Sequence, residues 1–120
     1  MSRVLIAEDN PVNRELLREL LETRGHAVTE AANGQEALQL IAVTPPDILL
    51  LDLDMPVLDG FATVRRIREN PSLASLPVLA VTAHAMQGDR EKVLASGFDG
   101  YLSKPIQSLL LFEELERLLG

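Results

Sequence analysis

The chain has 120 residues, no cysteine and a formal net charge of −7. The missing cysteines exclude disulfides and thiol chemistry, and the acidic balance argues against broad binding to nucleic-acid phosphates. No apolar run is long enough to span a membrane, and the N-terminus leads directly into a strand without a signal peptide. We therefore expect one cytoplasmic domain, residues 1–120, with no direct contact with nucleic acid or membrane.

The first part of the chain reads as a strand followed by an amphipathic helix. The strand is Arg3–Glu8, and Asn10 and Pro11 then provide a helix N-cap and a first helical residue. The helix ends at Gly25. Its predicted apolar face comprises Val12, Leu16, Leu17, Leu20 and Leu21.

The third strand carries the clearest signal. A strand at His26–Ala31 and a second helix precede it, and Ile48–Leu51 are then apolar without a break, as in a strand buried on both faces. The run stops at Asp52, and Pro56 cannot continue a central strand because it has no N–H. A carboxylate therefore stands where a core strand leaves the core, and it needs a cation, a donor or water there.

The remainder of the chain repeats the alternation. Asp59 is placed to cap a third helix, Leu76–Thr82 is the fourth strand, and a more polar helix runs from about Met86 to Ser96. Gly100–Ser103 is the last strand, and a final helix follows it. Strands that alternate with helices predict an α/β fold with a parallel sheet covered on both faces.

Polar side chains that are able to do chemistry stand at or just beyond the ends of four of the five predicted strands, at the edge where such sheets bind ligands. They are Glu8, Asp9, Asp52, Asp54, Thr82 and Lys104. Clustered carboxylates repel one another, and Mg²⁺ relieves that repulsion. A lysine and a threonine suit the oxygens of a transferring phosphoryl group, and a central carboxylate can be its acceptor. His26 and His84 lack the spacing of metal ligands.

Four motifs stand in order along the chain. They are Val4-Leu-Ile-Ala-Glu-Asp-Asn, Asp52-Leu-Asp-Met-Pro-Val-Leu-Asp-Gly, Val81-Thr-Ala and Tyr101-Leu-Ser-Lys-Pro. Together they resemble the receiver domain of two-component response regulators, from about Arg3 to the last helix. The resemblance implies a flavodoxin-like, doubly wound fold: a five-stranded parallel sheet in the order 2-1-3-4-5 with helices on both faces.

The resemblance also implies residue roles. Asp52 corresponds to the phosphoacceptor, and Thr82 and Lys104 correspond to the hydroxyl and the amine that contact the phosphoryl group. Thr82 and Tyr101 correspond to the switch residues, and the Lys104–Pro105 bond is expected to be cis. The implied ligands of Mg²⁺ are Glu8 through water, Asp9, Asp52 and the backbone carbonyl of Asp54.

The implied function is signalling. A histidine kinase or histidine phosphotransfer protein would donate the phosphoryl group, and the phosphorylated domain would regulate a downstream effector protein. It would be no enzyme beyond its own phosphorylation and dephosphorylation. The alternative is a Mg²⁺-dependent phosphatase of haloacid-dehalogenase type, in which Asp52 and Asp54 would be the nucleophile and the general acid. We expect residues 1–120 to form the receiver domain alone, without an output domain. The sequence leaves open whether the domain acts alone or belongs to a hybrid kinase or larger regulator.

Overall fold

Five short strands of this chain run parallel in one sheet. They are β1 (Arg3–Ala7), β2 (Ala27–Ala31), β3 (Ile48–Asp52), β4 (Val78–Thr82) and β5 (Gly100–Ser103). The computed structural model describes residues 2–55, 57–83 and 89–120, and it orders the strands β2-β1-β3-β4-β5. The predicted fold class and strand order are confirmed.

Helices connect the strands and cover the sheet. They are α1 (Pro11–Glu22), α2 (Gly34–Val43), α3 (Gly60–Glu69), α4 (Asp89–Ala95) and α5 (Ser108–Leu119), with a 3₁₀ turn at Pro71–Leu73. The predicted caps are confirmed, since Asn10 Oδ1 accepts from the amide of Val12 at 2.9 Å and Asp59 Oδ1 accepts from the amide of Ala62 at 2.8 Å. In the described ranges, none of the helices has the length and apolar character that a membrane crossing needs.

The alternation of side chains along each strand divides the core into two layers. One layer lies under α2, α3 and α4 and includes Leu5, Leu49, Leu51, Val64, Ile67 and Val93. The other lies under α1 and α5 and includes Val4, Ile6, Leu17, Leu50, Leu102 and Leu111. The central strand β3 is buried throughout, as predicted.

Two predicted details were wrong. β4 begins at Val78 rather than at Leu76, because the amide of Leu76 donates to the carbonyl of Leu73 in the turn that follows the 3₁₀ turn, and Pro77 has no N–H to donate. The predicted apolar face of α1 was too wide, since Val12 is 73% exposed and Leu16 is 47% exposed. The predictions for Pro56, for His84 and for a helix start near Met86 lie outside the described residues.

Candidate functional site

The strand pattern brings three charged side chains together at the carboxyl edge of the sheet. Glu8, Asp52 and Lys104 each lie two residues beyond a core residue of the layer under α1 and α5. Those core residues are Ile6, Leu50 and Leu102. Because side chains two residues apart share a face of the sheet, all three charged groups point toward the same side. Glu8 is 1% exposed and Asp52 is 4% exposed.

Lys104 neutralises part of this buried charge. Its Nζ lies 2.5 Å from Glu8 Oε1 and 3.4 Å from Asp52 Oδ2. The Lys104 amide donates to the carbonyl of Thr82 at 2.7 Å, which extends the ladder between β4 and β5 past the last strand residue. The peptide bond from Lys104 to Pro105 is cis, as predicted.

Burial changes the protonation of Glu8. Desolvation, reinforced by the Asp52 carboxylate, raises the pKa of Glu8 to about 7 although Lys104 acts in the opposite direction. Burial also lowers the pKa of Lys104, but the contact with Glu8 and the charge of Asp52 outweigh it, and this pKa lies above its ordinary value. Lys104 is therefore cationic at neutral pH, where Glu8 titrates.

The donor set fits a hard divalent cation. Carboxylate oxygens of Glu8, Asp9 and Asp52 all lie within 4.8 Å of one another. Glu8 Oε2 also accepts from the amide of Asn10 at 3.3 Å, which holds this carboxylate toward the turn between β1 and α1. Lys104 brings one positive charge against three carboxylates, so a cation with oxygen ligands, such as Mg²⁺, suits the excess negative charge.

Thr82 and Asp54 are linked by their side chains. Thr82 is 2% exposed, and its hydroxyl donates to Asp54 Oδ2 at 3.2 Å. The amide of Asp54 donates to Asp52 Oδ1 at 3.0 Å, so the same residue also orients the central carboxylate. The two aspartates therefore differ: Asp52, the last residue of β3, is buried in the cluster, and the exposed Asp54 holds the hydroxyl at the end of β4.

Tyr101 lies on β5 on the same side of the sheet as Thr82. Tyr101 pairs in register with Ala80, two residues before Thr82, so the two side chains share a face on adjacent strands. Tyr101 is half-buried and packs against the layer under α2, α3 and α4. The predicted proximity of Thr82 and Tyr101 agrees with this register.

Arg14 was missed by the sequence reasoning. Its Nη1 donates to the carbonyl of Glu8 at 2.8 Å and reaches the carbonyl of Asp9 at 3.4 Å. The sequence could have indicated this contact. Helical side chains tilt toward the N-terminus of their helix, and Arg14 lies near the start of α1, just after Glu8 and Asp9.

The family follows from comparison with known proteins. The model of the response regulator receiver domain matches residues 4–116. This chain belongs to that family. The Polar-differentiation response regulator DivK of Brucella anthropi is 38% identical over 117 residues, which cover 98% of this receiver and 95% of DivK.

Two further matches are to the receiver parts of histidine kinases. Hybrid signal transduction histidine kinase I of Dictyostelium discoideum is 42% identical over 118 residues, covering 92% of this receiver and 7% of the kinase. The crystal structure of the receiver domain of a sensor histidine kinase from Pseudomonas aeruginosa has a TM-score of 0.91 and 38% identity, covering 99% of this receiver and 98% of that chain. That structure is described with a magnesium ion in its active-site cleft.

Membership of the family sets the class of activity. Receiver domains act as phosphoacceptors in signalling rather than as classical enzymes, and in general they interact with histidine kinases and downstream effectors. The phosphatase alternative finds no support in these matches.

Proposed function

We propose that this receiver takes a phosphoryl group onto Asp52 from a phosphohistidine of a histidine kinase or a histidine phosphotransfer protein. The observation that supports this most directly is the surroundings of Asp52: a buried carboxylate close to those of Glu8 and Asp9 and 3.4 Å from Lys104. Such a cluster places an acceptor oxygen, a cation-binding edge and an ammonium around one point.

In the transfer, an oxygen of Asp52 attacks phosphorus, the bond from phosphorus to the donor nitrogen breaks, and the imidazole leaves with the electron pair. Lys104 stabilises negative charge on the phosphoryl oxygens, and the hydroxyl of Thr82 donates to one of them. Glu8, Asp9, Asp52 and the backbone carbonyl of Asp54 would hold Mg²⁺. The bound metal would neutralise charge on the transferring group. Attack by water on the same phosphorus would break its bond to the Asp52 oxygen, release inorganic phosphate and restore the carboxylate.

The phosphoryl group on Asp52 acts as a signal because it competes with the Asp54 carboxylate for the hydroxyl of Thr82. When the hydroxyl turns from Asp54 to the phosphoryl group, space opens next to Tyr101 on the same face. This biases two conformations that already exist, and it changes the surface formed by α4, β5 and α5 for a downstream effector. The net charge of −7 fits a cytoplasmic protein partner better than nucleic acid.

Transfer from a protein donor tests the proposal. A histidine kinase phosphorylated on its histidine should lose its label to the wild-type receiver when Mg²⁺ is present and keep it when the metal is chelated. Asp52→Asn should accept no label, whereas Asp59→Asn, a change at an exposed helix cap, should accept it normally. Hydrolysis of small phosphate monoesters with turnover would instead favour the phosphatase alternative.

A further inference from the structure

Arg14 donates hydrogen bonds to the turn that carries two of the proposed metal ligands, Glu8 and Asp9. β1 ends at Ala7 and α1 begins at Pro11, so the carbonyls of Glu8 and Asp9 lie between the two elements. The guanidinium of Arg14 reaches both, at 2.8 Å and 3.4 Å, from one nitrogen. A single side chain of α1 thus holds the backbone of two consecutive acidic residues, Glu8 and Asp9, in place.

The guanidinium is itself held from β2. Arg14 Nε lies 3.7 Å from Glu30 Oε1, and the other oxygen of Glu30 accepts from Arg18 Nη1 at 2.6 Å. Arg14 is only 22% exposed at its side chain, against 41% for Arg18. A carboxylate on β2 therefore orients Arg14, although no ligand of the proposed site comes from that strand.

We propose that Arg14 is a positioning residue for Glu8 and Asp9, and that Glu30 supports it; this inference rests on the proposed Mg²⁺ site. Asp9 has a short and exposed side chain, so the position of its carboxylate follows the position of its backbone. Partners that orient metal ligands without touching the metal typically change metal affinity about 10- to 100-fold when they are removed.

Arg18 provides a matched control. It lies one helical turn beyond Arg14, carries the same charge and contacts the same Glu30, but its described contacts are with Glu22 and Glu30 only, not with the turn after β1. Calorimetric titration should show Mg²⁺ binding about tenfold weaker in Arg14→Met and changed by less than about twofold in Arg18→Met. Arg14→Lys should recover part of the loss, and Glu30→Gln should show a smaller loss of the same sign.

A measurement without metal separates positioning from other effects. The amide of Asn10 donates to Glu8 Oε2, so its hydrogen exchange reports how firmly the turn is held. In metal-free protein this amide should exchange faster in Arg14→Met than in wild type, and at the wild-type rate in Arg18→Met. Equal exchange and equal Mg²⁺ affinity in the two variants would overturn the assignment. A wild type that binds no Mg²⁺ would contradict the proposed function, and the exchange result would still decide the role of Arg14.

Discussion

Thr82 donates its hydroxyl hydrogen to the carboxylate of Asp54, 28 residues earlier in the chain, across 3.2 Å. This bond joins the end of β4 to the turn after β3, and it engages the group that we expect to contact a phosphoryl oxygen. A phosphorylated Asp52 must therefore compete with Asp54 for the same hydrogen.

That competition predicts a difference between two substitutions of Asp54. Asp54→Ala removes the acceptor, whereas Asp54→Asn keeps an oxygen for Thr82 and loses the same charge. Because one hydrogen bond contributes about 0.5–1.5 kcal/mol, beryllofluoride, a phosphoryl mimic, should bind Asp54→Ala about two- to twelvefold more tightly than Asp54→Asn. Titration followed by NMR measures both constants. Equal affinities would show that the bond does not restrain Thr82.

The switch prediction concerns Thr82 itself. Beryllofluoride should change the amide chemical shifts of wild type at the site and, beyond it, in 89–96 and around Tyr101. Thr82→Ala should still bind the mimic but lose most of the distant changes, because it has no hydroxyl to move. The same shift pattern in the two proteins would exclude Thr82 as the coupling residue.

Repulsion among the carboxylates predicts a response to metal. Mg²⁺ binds the folded protein only, so millimolar Mg²⁺ should raise the melting temperature by mass action. Asp9→Asn should weaken this effect and leave the metal-free protein at least as stable as wild type, since it removes one of the mutually repelling charges. A melting curve of wild type that does not move with Mg²⁺ would refute the metal site.

The pKa of Glu8 predicts the pH dependence. This pKa lies at about 7 in the folded protein, against 4.5 for an ordinary glutamate, so between these values the folded state binds more protons than the unfolded state. The stabilisation from Glu8 is therefore complete below pH 4.5 and is lost as pH rises through 7.

Metal binding has the opposite trend, because Mg²⁺ requires the ionised carboxylate and its affinity should rise toward pH 7 and above. Glu8→Gln stays neutral, so both dependences should become flatter in this variant than in wild type. Melting curves with and without Mg²⁺ across this range measure the two trends. Wild type and Glu8→Gln with the same pH profile would contradict the raised pKa.

The parallel sheet and the composition of the cluster could be predicted because they depend on local signals. The unbroken apolar run before Asp52, the caps at Asn10 and Asp59, and the period of two along the strands place polar groups at one edge without knowledge of other contacts. The resemblance to receivers then supplied the order of strands and the cis bond.

Side-chain partners across the fold could not be predicted in the same way. The bond from Thr82 to Asp54 and the contact of Arg14 with Glu30 depend on how neighbouring strands and helices pack against one another.

The backbone of Val57 is a different case. Its φ of +71° is unusual for a β-branched residue, and the residues around it in the sequence give no sign of this conformation. The tertiary turn, rather than local preference, determines that conformation.

The most direct test of the central claim is to find where a phosphoryl group is attached. After incubation with acetyl phosphate and Mg²⁺, intact mass should show one added phosphoryl group, and peptide mapping should place it on Asp52. Chelation of the metal or Asp52→Asn should abolish the addition. A phosphoryl group on another residue, or full labelling of Asp52→Asn, would contradict the account.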